Sequence, residues 1–343
     1  MKRKRFSIIV AAAVSTCLIA GSAFGSTVAN AASLTGAGST LVAPLEAAWA
    51  IDFERRYGES VTYAGVGSGA GIAQISARTV DFGASDAPLT PSQAAACNRC
   101  IQIPWALGAV GISYNVPGVR NLHLTGPVIA NIYLGKITTW NAPAIAKLNK
   151  GVKLPNMKIT PVFRSDGSGT TYGFTDYLSR ISSQWKSQIG NSTTVSFPVG
   201  VGGKGSPGVT ALVATTPGSI GYVEVAYIIA HHLNAAAIKN AAGKFVFPNL
   251  KNIEQAGSSV KHVPANNEMH IVNPPRKYKV AYPIATFTYA IAPLGSPKKK
   301  LLSSWIYYAL STGQAFGPAL DFAPIPKVVF NAGVKSVREL QGS

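Results

Sequence analysis

Two periods of apolar and polar positions share this chain. Val61-Thr62-Tyr63-Ala64-Gly65-Val66 is a short run rich in β-branched and aromatic residues, and Ala109 to Tyr114 and Ala285 to Ala292 are further apolar runs; each predicts a strand. Between such runs lie amphipathic stretches. Leu41 to Tyr57 predicts a helix, with Pro44 tolerated in its first turn and Gly58 as its stop. Phe174, Leu178, Ile181 and Trp185 recur at helical spacing, so Thr171 to Lys186 predicts a second helix with one buried stripe, and Ser303 to Thr312 predicts a third. Strands alternating with helices give an α/β fold class. Glycine- and proline-rich connections are spread along the chain, and none is long enough to be a free linker. Two domains joined by short strands fit this pattern better than a string of separate ones.

Composition narrows the class. The chain has 343 residues, 47% hydrophobic and only 13% charged, which describes a well-packed globular protein and excludes disorder. Its formal charge is +18, from 31 Lys and Arg against 13 Asp and Glu. Four of the positives, Lys2 to Arg5, precede the apolar stretch Phe6 to Phe24, and Ala29-Asn30-Ala31 supplies a small–x–small cleavage pattern. Residues 1–31 therefore read as an export signal. Cutting after Ala31 leaves 31 − 4 = 27 positives against 13 negatives, a charge of +14. A permanent anchor is the alternative; its lipid-attached form would use Cys17, whose flanks Val14-Ser15-Thr16 and Leu18-Ile19 suit lipid attachment poorly. No later run of about 18 apolar residues follows.

The remaining cysteines form Cys97-Asn98-Arg99-Cys100. One pair lacks partners for a four-ligand zinc site, and export places it in an oxidising compartment, so a structural disulfide is expected. The basic clusters Arg276-Lys277-Tyr278-Lys279 and Lys298-Lys299-Lys300 lie among prolines, away from the glycine-rich loops. They read as a solvated surface that favours anionic ligands or an anionic envelope, not as a nucleic-acid face.

Three segments share one chemical design. Gly36 to Pro44 (GAGSTLVAP), Gly65 to Ile75 (GVGSGAGIAQI) and Asp166 to Phe174 (DGSGTTYGF) each run through glycine and hydroxyl residues into a predicted helix. A helix start offers unpaired N–H groups and a partial positive charge; glycine permits close approach, and Ser or Thr adds short donors. One such loop could be mere capping, but three of them point to an anion site. Catalytic motifs are missing. Gly203-Lys204-Gly205-Ser206 lacks the P-loop frame, and Val66 and Asp166 stand where a nucleophile elbow needs its first glycine. None of His123, His231, His232, His262 and His270 has metalloprotease spacing; the His231-His232 pair reads as surface, and no metal site or cofactor is expected.

Two carboxylates stand out. Asp86 follows a short strand in VDFGASDAPL, and Asp166 sits two residues after Arg164, where it can hold the guanidinium by a charge-assisted pair. A carboxylate beside an anion is reasonable if the anion carries a proton of its own. Hydrogen phosphate donates its P–OH to a carboxylate, whereas sulfate cannot. Two like charges about 4 Å apart repel by roughly 4 kcal/mol at an effective dielectric near 20. That is about a thousandfold in affinity.

At these residues the sequence resembles the phosphate-binding proteins of bacterial high-affinity phosphate ABC transporters, within the periplasmic binding-protein class. TGAGSTLVAP, VGSGAG, VDFGASDAP, IYLGKITTWN, RSDGSGTTY, VGGKGSPGV and PGSIGYVE occur in the family's order and span most of the chain after the signal. The resemblance implies a type II two-lobed α/β fold with two hinge strands and a ligand cleft between the lobes. Residues 32–113 and 285–343 would form lobe I, and residues 114–284 lobe II. It implies phosphate ligands at Thr40, Leu41, Ser68, Asp86, Arg164, Ser168, Gly169 and Thr170, with Asp166 behind Arg164. The family often has Phe where Leu41 stands, a departure that concerns packing more than the N–H. The implied function is capture of inorganic phosphate outside the cytoplasm, at the periplasmic or extracellular face, and delivery by a monomer to membrane permease subunits, without catalysis. A binding protein for another tetrahedral oxyanion, a secreted phosphatase and an envelope interaction protein are the alternatives.

Overall fold

The computed structural model describes residues 33–343, so the export signal, Cys17 and the cleavage position lie outside the described residues. The described residues belong to one compact unit. Its twelve strands are β1 (Ser33–Gly38), β2 (Ser60–Gly65), β3 (Phe82–Ser85), β4 (Cys100–Asn115), β5 (His123–Leu124), β6 (Thr160–Arg164), β7 (Val201–Gly203), β8 (Ser219–Glu224), β9 (Asn234–Ala235), β10 (Ala237–Lys239), β11 (Phe245–Val246) and β12 (Ala285–Pro293). Eight of them run in the order β2-β1-β3-β12-β4-β8-β6-β7, with β9 added beside β4, while β5, β10 and β11 make a small separate sheet. Helices pack on this curled sheet, giving a two-lobed α/β fold.

The long strand β4 joins the two halves. Residues Cys100 to Ala109 pair antiparallel with β12, whereas Val110 to Asn115 pair with β8. Its sequence, CIQIPWALGAVGISYN, is apolar almost throughout, as a strand covered on both faces must be. Only the stretch from Ala109 to Tyr114 reads as a strand by pattern, because Pro104 interrupts the run before it. The structure tolerates that proline through a bulge: Thr288 faces Ala106 and Tyr289 faces Pro104, so Trp105 has no partner in the ladder.

In each half, parallel strands point their C-terminal ends at the same region and are followed by helices. The first half sends β1 into the helix Ala43–Tyr57 and β2 into Ser68–Ser76; the second sends β6 into Gly169–Ile181 and β7 into Gly205–Thr215. Sheets of this kind collect ligands at these carboxyl ends. The first helix starts two residues later than its apolar pattern suggests, because 39–42 form a turn that serves the site; it ends on left-handed Gly58, as expected.

The helix expected over Thr171 to Lys186 is two helices, Gly169–Ile181 and Ser183–Gln188, broken at an extended Ser182. The Ser182 hydroxyl accepts the N–H of Trp185 at 3.2 Å, a local cap that competes with helix continuation. The apolar stripe survives the break, since Phe174, Leu178 and Trp185 are all buried. The helix expected over Ser303 to Thr312 spans Lys299–Leu310.

Cys97 and Cys100 are joined by a disulfide. Arg78 lies across it and donates to the carbonyls of Ile75, Cys97 and Asn98 at 2.7, 2.8 and 2.7 Å. Lys298 is not free: its ammonium meets Asp81 at 2.9 Å. No helix of the described residues is long and apolar enough to cross a membrane.

Candidate functional site

The loops after β1, β2, β3, β6 and β7 converge on one buried centre. Asp86 enters from the end of β3 and is 2% exposed. Arg164 is the last residue of β6, and its side chain is 2% exposed; it is the only buried Lys or Arg among the described residues. Its Nε and Nη2 donate to the two oxygens of Asp166 at 2.8 and 2.5 Å, a bidentate pair. Asp166 also accepts the N–H of Gly205 at 2.9 Å, which ties the loop after β7 to the pair. Nη1 points to the Thr170 hydroxyl at 3.4 Å. Behind it, the Tyr222 hydroxyl accepts the Arg164 N–H at 3.0 Å and meets the Thr171 hydroxyl at 2.8 Å.

The first-half loops are set against the second half directly. The Ser68 hydroxyl accepts the N–H of Gly169 at 3.0 Å and that of Asp86 at 3.4 Å. Gly69 donates to the Gly167 carbonyl at 2.9 Å. The Thr40 hydroxyl pairs with the Ser206 hydroxyl at 2.9 Å and accepts the Ser206 N–H at 3.0 Å, while Tyr227 donates to the Thr40 carbonyl at 2.8 Å. Glycine is required where the halves approach most closely. A Cβ on Gly67, whose φ is +96°, would stand 2.3 Å from an Asp166 oxygen; one on Gly169 would stand 2.6 Å from the Asp86 nitrogen.

All the residues singled out in the sequence are thus located. Ser68 links Asp86 to Gly169, Arg164 meets Thr170, and Thr40 is tied to Ser206 and Tyr227. Ser168 caps its helix, accepting the Thr171 N–H at 3.1 Å. The Leu41 N–H donates to the Ser39 hydroxyl at 3.0 Å, and its side chain is fully buried. Five further residues of the cluster are not among those candidates: Ser39, Gly205, Ser206, Tyr222 and Tyr227. Ser39 adjoins Thr40 in the same motif, and Gly205-Ser206 lies in VGGKGSPGV, a segment of the family resemblance to which no ligand role is assigned. Tyr227 carries no local signal, since its partner is 187 residues away.

The electrostatics separate the two aspartates. Burial pushes Asp86 from its ordinary 3.8 up to about 6, opposed by the hydrogen bond from Ser39 and the charge of Arg164. For Asp166, burial pushes up as well, but the hydrogen bonds and charge of Arg164 outweigh it and hold the carboxyl below its ordinary value. Burial likewise raises two further carboxyls, Glu46 and Glu224, well above the usual range. Helix starts of 13, 15 and 11 residues bring their positive ends to the same centre. The whole is a buried cluster of neutral donors with one guanidinium and, beside its paired Asp166, one further acceptor carboxylate, chemistry suited to a small oxyanion that carries a proton.

Known proteins resemble this chain in sequence and in fold. A family model described as the PBP superfamily domain matches residues 25–312. The chain is 38% identical over 298 residues to the phosphate-binding protein PstS of Xylella fastidiosa, covering 85% of this chain and 81% of that one. It is 39% identical over 302 residues to the phosphate-binding protein PstS of Haemophilus influenzae, covering 87% and 90%. In fold it is similar to the solved structure of PfluDING, a high-affinity periplasmic phosphate-binding protein bound with phosphate: the TM-score is 0.71 at 21% identity, over 89% of this chain and 93% of that one.

Proposed function

The chain belongs to the PstS family of phosphate-binding proteins in the PBP superfamily, and from that premise we propose that it captures inorganic phosphate outside the cytoplasm for import by an ABC transporter. Residues 32–113 with 285–343 act as one lobe and residues 114–284 as the other, closing over the ion. Thr40, Ser68, Ser168, Gly169 and Thr170 offer hydroxyl and amide donors, with Leu41 contributing its backbone. Arg164 supplies the positive charge, held in place by Asp166. Asp86 accepts the proton of the bound ion. The protein acts as a monomer, hands its ion to membrane permease subunits and performs no chemistry on it.

One observation carries the reading: a carboxylate sealed in the same buried centre as a guanidinium that already has its own carboxylate. Were Asp86 present for charge balance, Arg164 would not need Asp166 as well. An acceptor in that position excludes oxyanions without a proton more than it attracts those with one. Hydrogen bonds to charged groups contribute about 1.5–3 kcal/mol each. Several of them exceed the roughly 8 kcal/mol of a micromolar site after desolvation and closure costs.

The test is calorimetric titration of the purified protein with phosphate, arsenate and sulfate over a range of pH. Phosphate is expected to bind with micromolar or tighter affinity near neutral pH. Arsenate, with the same shape and proton, is expected to follow it, and sulfate to bind about a thousandfold more weakly. Equal affinity for sulfate, or turnover of a phosphomonoester, contradicts the proposal.

The disulfide gives a contrasting prediction. Cys97 packs with Ile72, Ile75, Leu89 and Ile291, in a cluster separate from the main core. Closing so short a loop restricts the unfolded chain by about 2 kcal/mol. Replacing Cys97 and Cys100 together by alanine is expected to lower unfolding stability by that order and to leave phosphate affinity within about twofold. Urea unfolding and titration of the same sample check both halves.

A further inference from the structure

We infer that Ser39 decides which oxygen of Asp86 meets the anion, and so sets the pH at which the site ceases to demand a proton from its ligand. The inference rests on the reading of the site given above. A count of donors and acceptors carries it.

Ser39 is fully buried in the turn between β1 and the helix Ala43–Tyr57. Its Oγ accepts the N–H of Leu41 at 3.0 Å and, more weakly, that of Val42 at 3.4 Å. A serine hydroxyl has two acceptor positions and one proton. With backbone N–H groups on both acceptor positions, the proton is committed elsewhere, and the structure directs it to Asp86 Oδ1. Oδ1 is therefore an acceptor and cannot face Ser39 with a proton of its own. Any proton that Asp86 holds or receives must sit on Oδ2. The anion thus meets a carboxylate whose two oxygens are not equivalent.

The groups around Asp86 leave this assignment to Ser39. Arg164, from β6, attracts the carboxylate but spends Nε and Nη2 on Asp166. Tyr63, from β2, gives its hydroxyl proton to the Ser39 carbonyl at 2.8 Å, and Tyr227 gives its own to the Thr40 carbonyl. Glu224, at the end of β8, caps the N–H of Ala226 at 2.6 Å and is held toward its neutral form by burial. The Thr170 and Thr288 hydroxyls also face Asp86 and help to hold it ionised, but each by less than Ser39 does, and that of Thr288 completes no hydrogen bond. Among the influences that hold Asp86 ionised against burial, the bond from Ser39 ranks ahead of the charge of Arg164.

Removing this hydroxyl should make Asp86 keep a proton to higher pH. A protonated Asp86 donates instead of refusing, and an oxyanion without a proton becomes acceptable. In the wild type, sulfate binding is expected to set in as pH falls through about 6. In Ser39→Ala and Ser39→Gly the onset is expected to move up by about one pH unit, with several-fold tighter sulfate binding at pH 7. Ser39→Thr, which keeps a hydroxyl, is expected to retain the wild-type onset. Isotope-edited infrared titration of the Asp86 carboxyl in ligand-free protein should show the same displacement. A purely structural role for Ser39 would weaken all anions together and leave both titrations in place. An unchanged onset and carboxyl titration in the hydroxyl-free variants, or a Ser39→Thr variant displaced as far as alanine, overturns the inference. If the wild type binds no phosphate, the functional reading fails instead, and the infrared titration still decides the role of Ser39.

Discussion

Replacing Arg164 by alanine is expected to weaken phosphate binding by about 3–5 kcal/mol, or two to four orders of magnitude. Two losses combine. The site loses its only buried cation among the described residues, and Asp166 is left in a half-buried position with a single amide, that of Gly205, still donating to it. An uncompensated carboxylate beside an incoming anion then opposes binding that it previously supported. Arg164→Lys keeps the charge but loses the two-pronged grip on Asp166, so an intermediate affinity is expected. The wild-type pair also has a pH signature. Because Arg164 holds Asp166 below its ordinary value, the pair stabilises the fold above the usual carboxylate range and loses that contribution as pH falls through it. Titration calorimetry measures the affinity, and unfolding curves at acid and neutral pH measure the pair. An affinity change below twofold contradicts the assignment.

What could be read from the sequence here was what is local. Gly-Ser-Thr and Gly-Ser-Gly at strand-to-helix junctions announce donor loops because glycine, hydroxyl and helix start act within a few residues of one another. Arg164 and Asp166 are close enough in sequence for their pairing to be stated without coordinates. The less legible features depend on distant partners. The length of β4 was hidden by Pro104, whose place in a central strand depends on a bulge opposite Thr288 and Tyr289. The break at Ser182 follows from a hydroxyl choosing a cap over helix continuation, in a stretch whose apolar spacing runs straight through it. Ser206 and Tyr227 join the site only because the second half of the sheet brings them to Thr40. Ser39 lies inside a recognisable motif, yet its bond to Asp86 spans 47 residues and leaves no local mark in the sequence.

These cross-half bonds bear on how the site closes. Thr40 bonds to Ser206 and Gly169 donates to Ser68 across the two halves, and Thr40, Ser68 and Gly169 are also proposed donors to the ion. Closure therefore exchanges some polar contacts for others at modest net cost, and affinity depends on the groups whose needs are poorly met without the ion. Arg164 Nη1, whose one partner is the Thr170 hydroxyl at a long 3.4 Å, and Asp86 Oδ2 are two groups of opposite character that the ion would satisfy better.

Asp86→Asn is accordingly expected to gain stability while losing selectivity. Burial raises the Asp86 carboxyl from 3.8 to about 6. A folded value above the unfolded one means that the folded state holds its proton more tightly. The associated stability is complete below about pH 4 and is lost as pH rises through about 6. By pH 8 the ionised, buried carboxylate has cost on the order of 3 kcal/mol, although its bond from Ser39 and the charge of Arg164 already reduce that penalty. Asparagine does not titrate and keeps an oxygen for the Ser39 hydroxyl. The ligand-free variant is thus expected to match the wild type near pH 4 and to exceed it by up to about 3 kcal/mol at pH 8, measured by urea unfolding. Selectivity moves the opposite way. An amide neither repels sulfate nor requires a proton from it, so the phosphate preference is expected to fall by about two to three orders of magnitude. The two halves of this prediction test one cause. Should the variant become more stable at pH 8 yet refuse sulfate as firmly as before, Asp86 would be a buried charge with no part in reading the ion's proton; should it lose selectivity without gaining stability, folding would not raise the Asp86 carboxyl above its unfolded value.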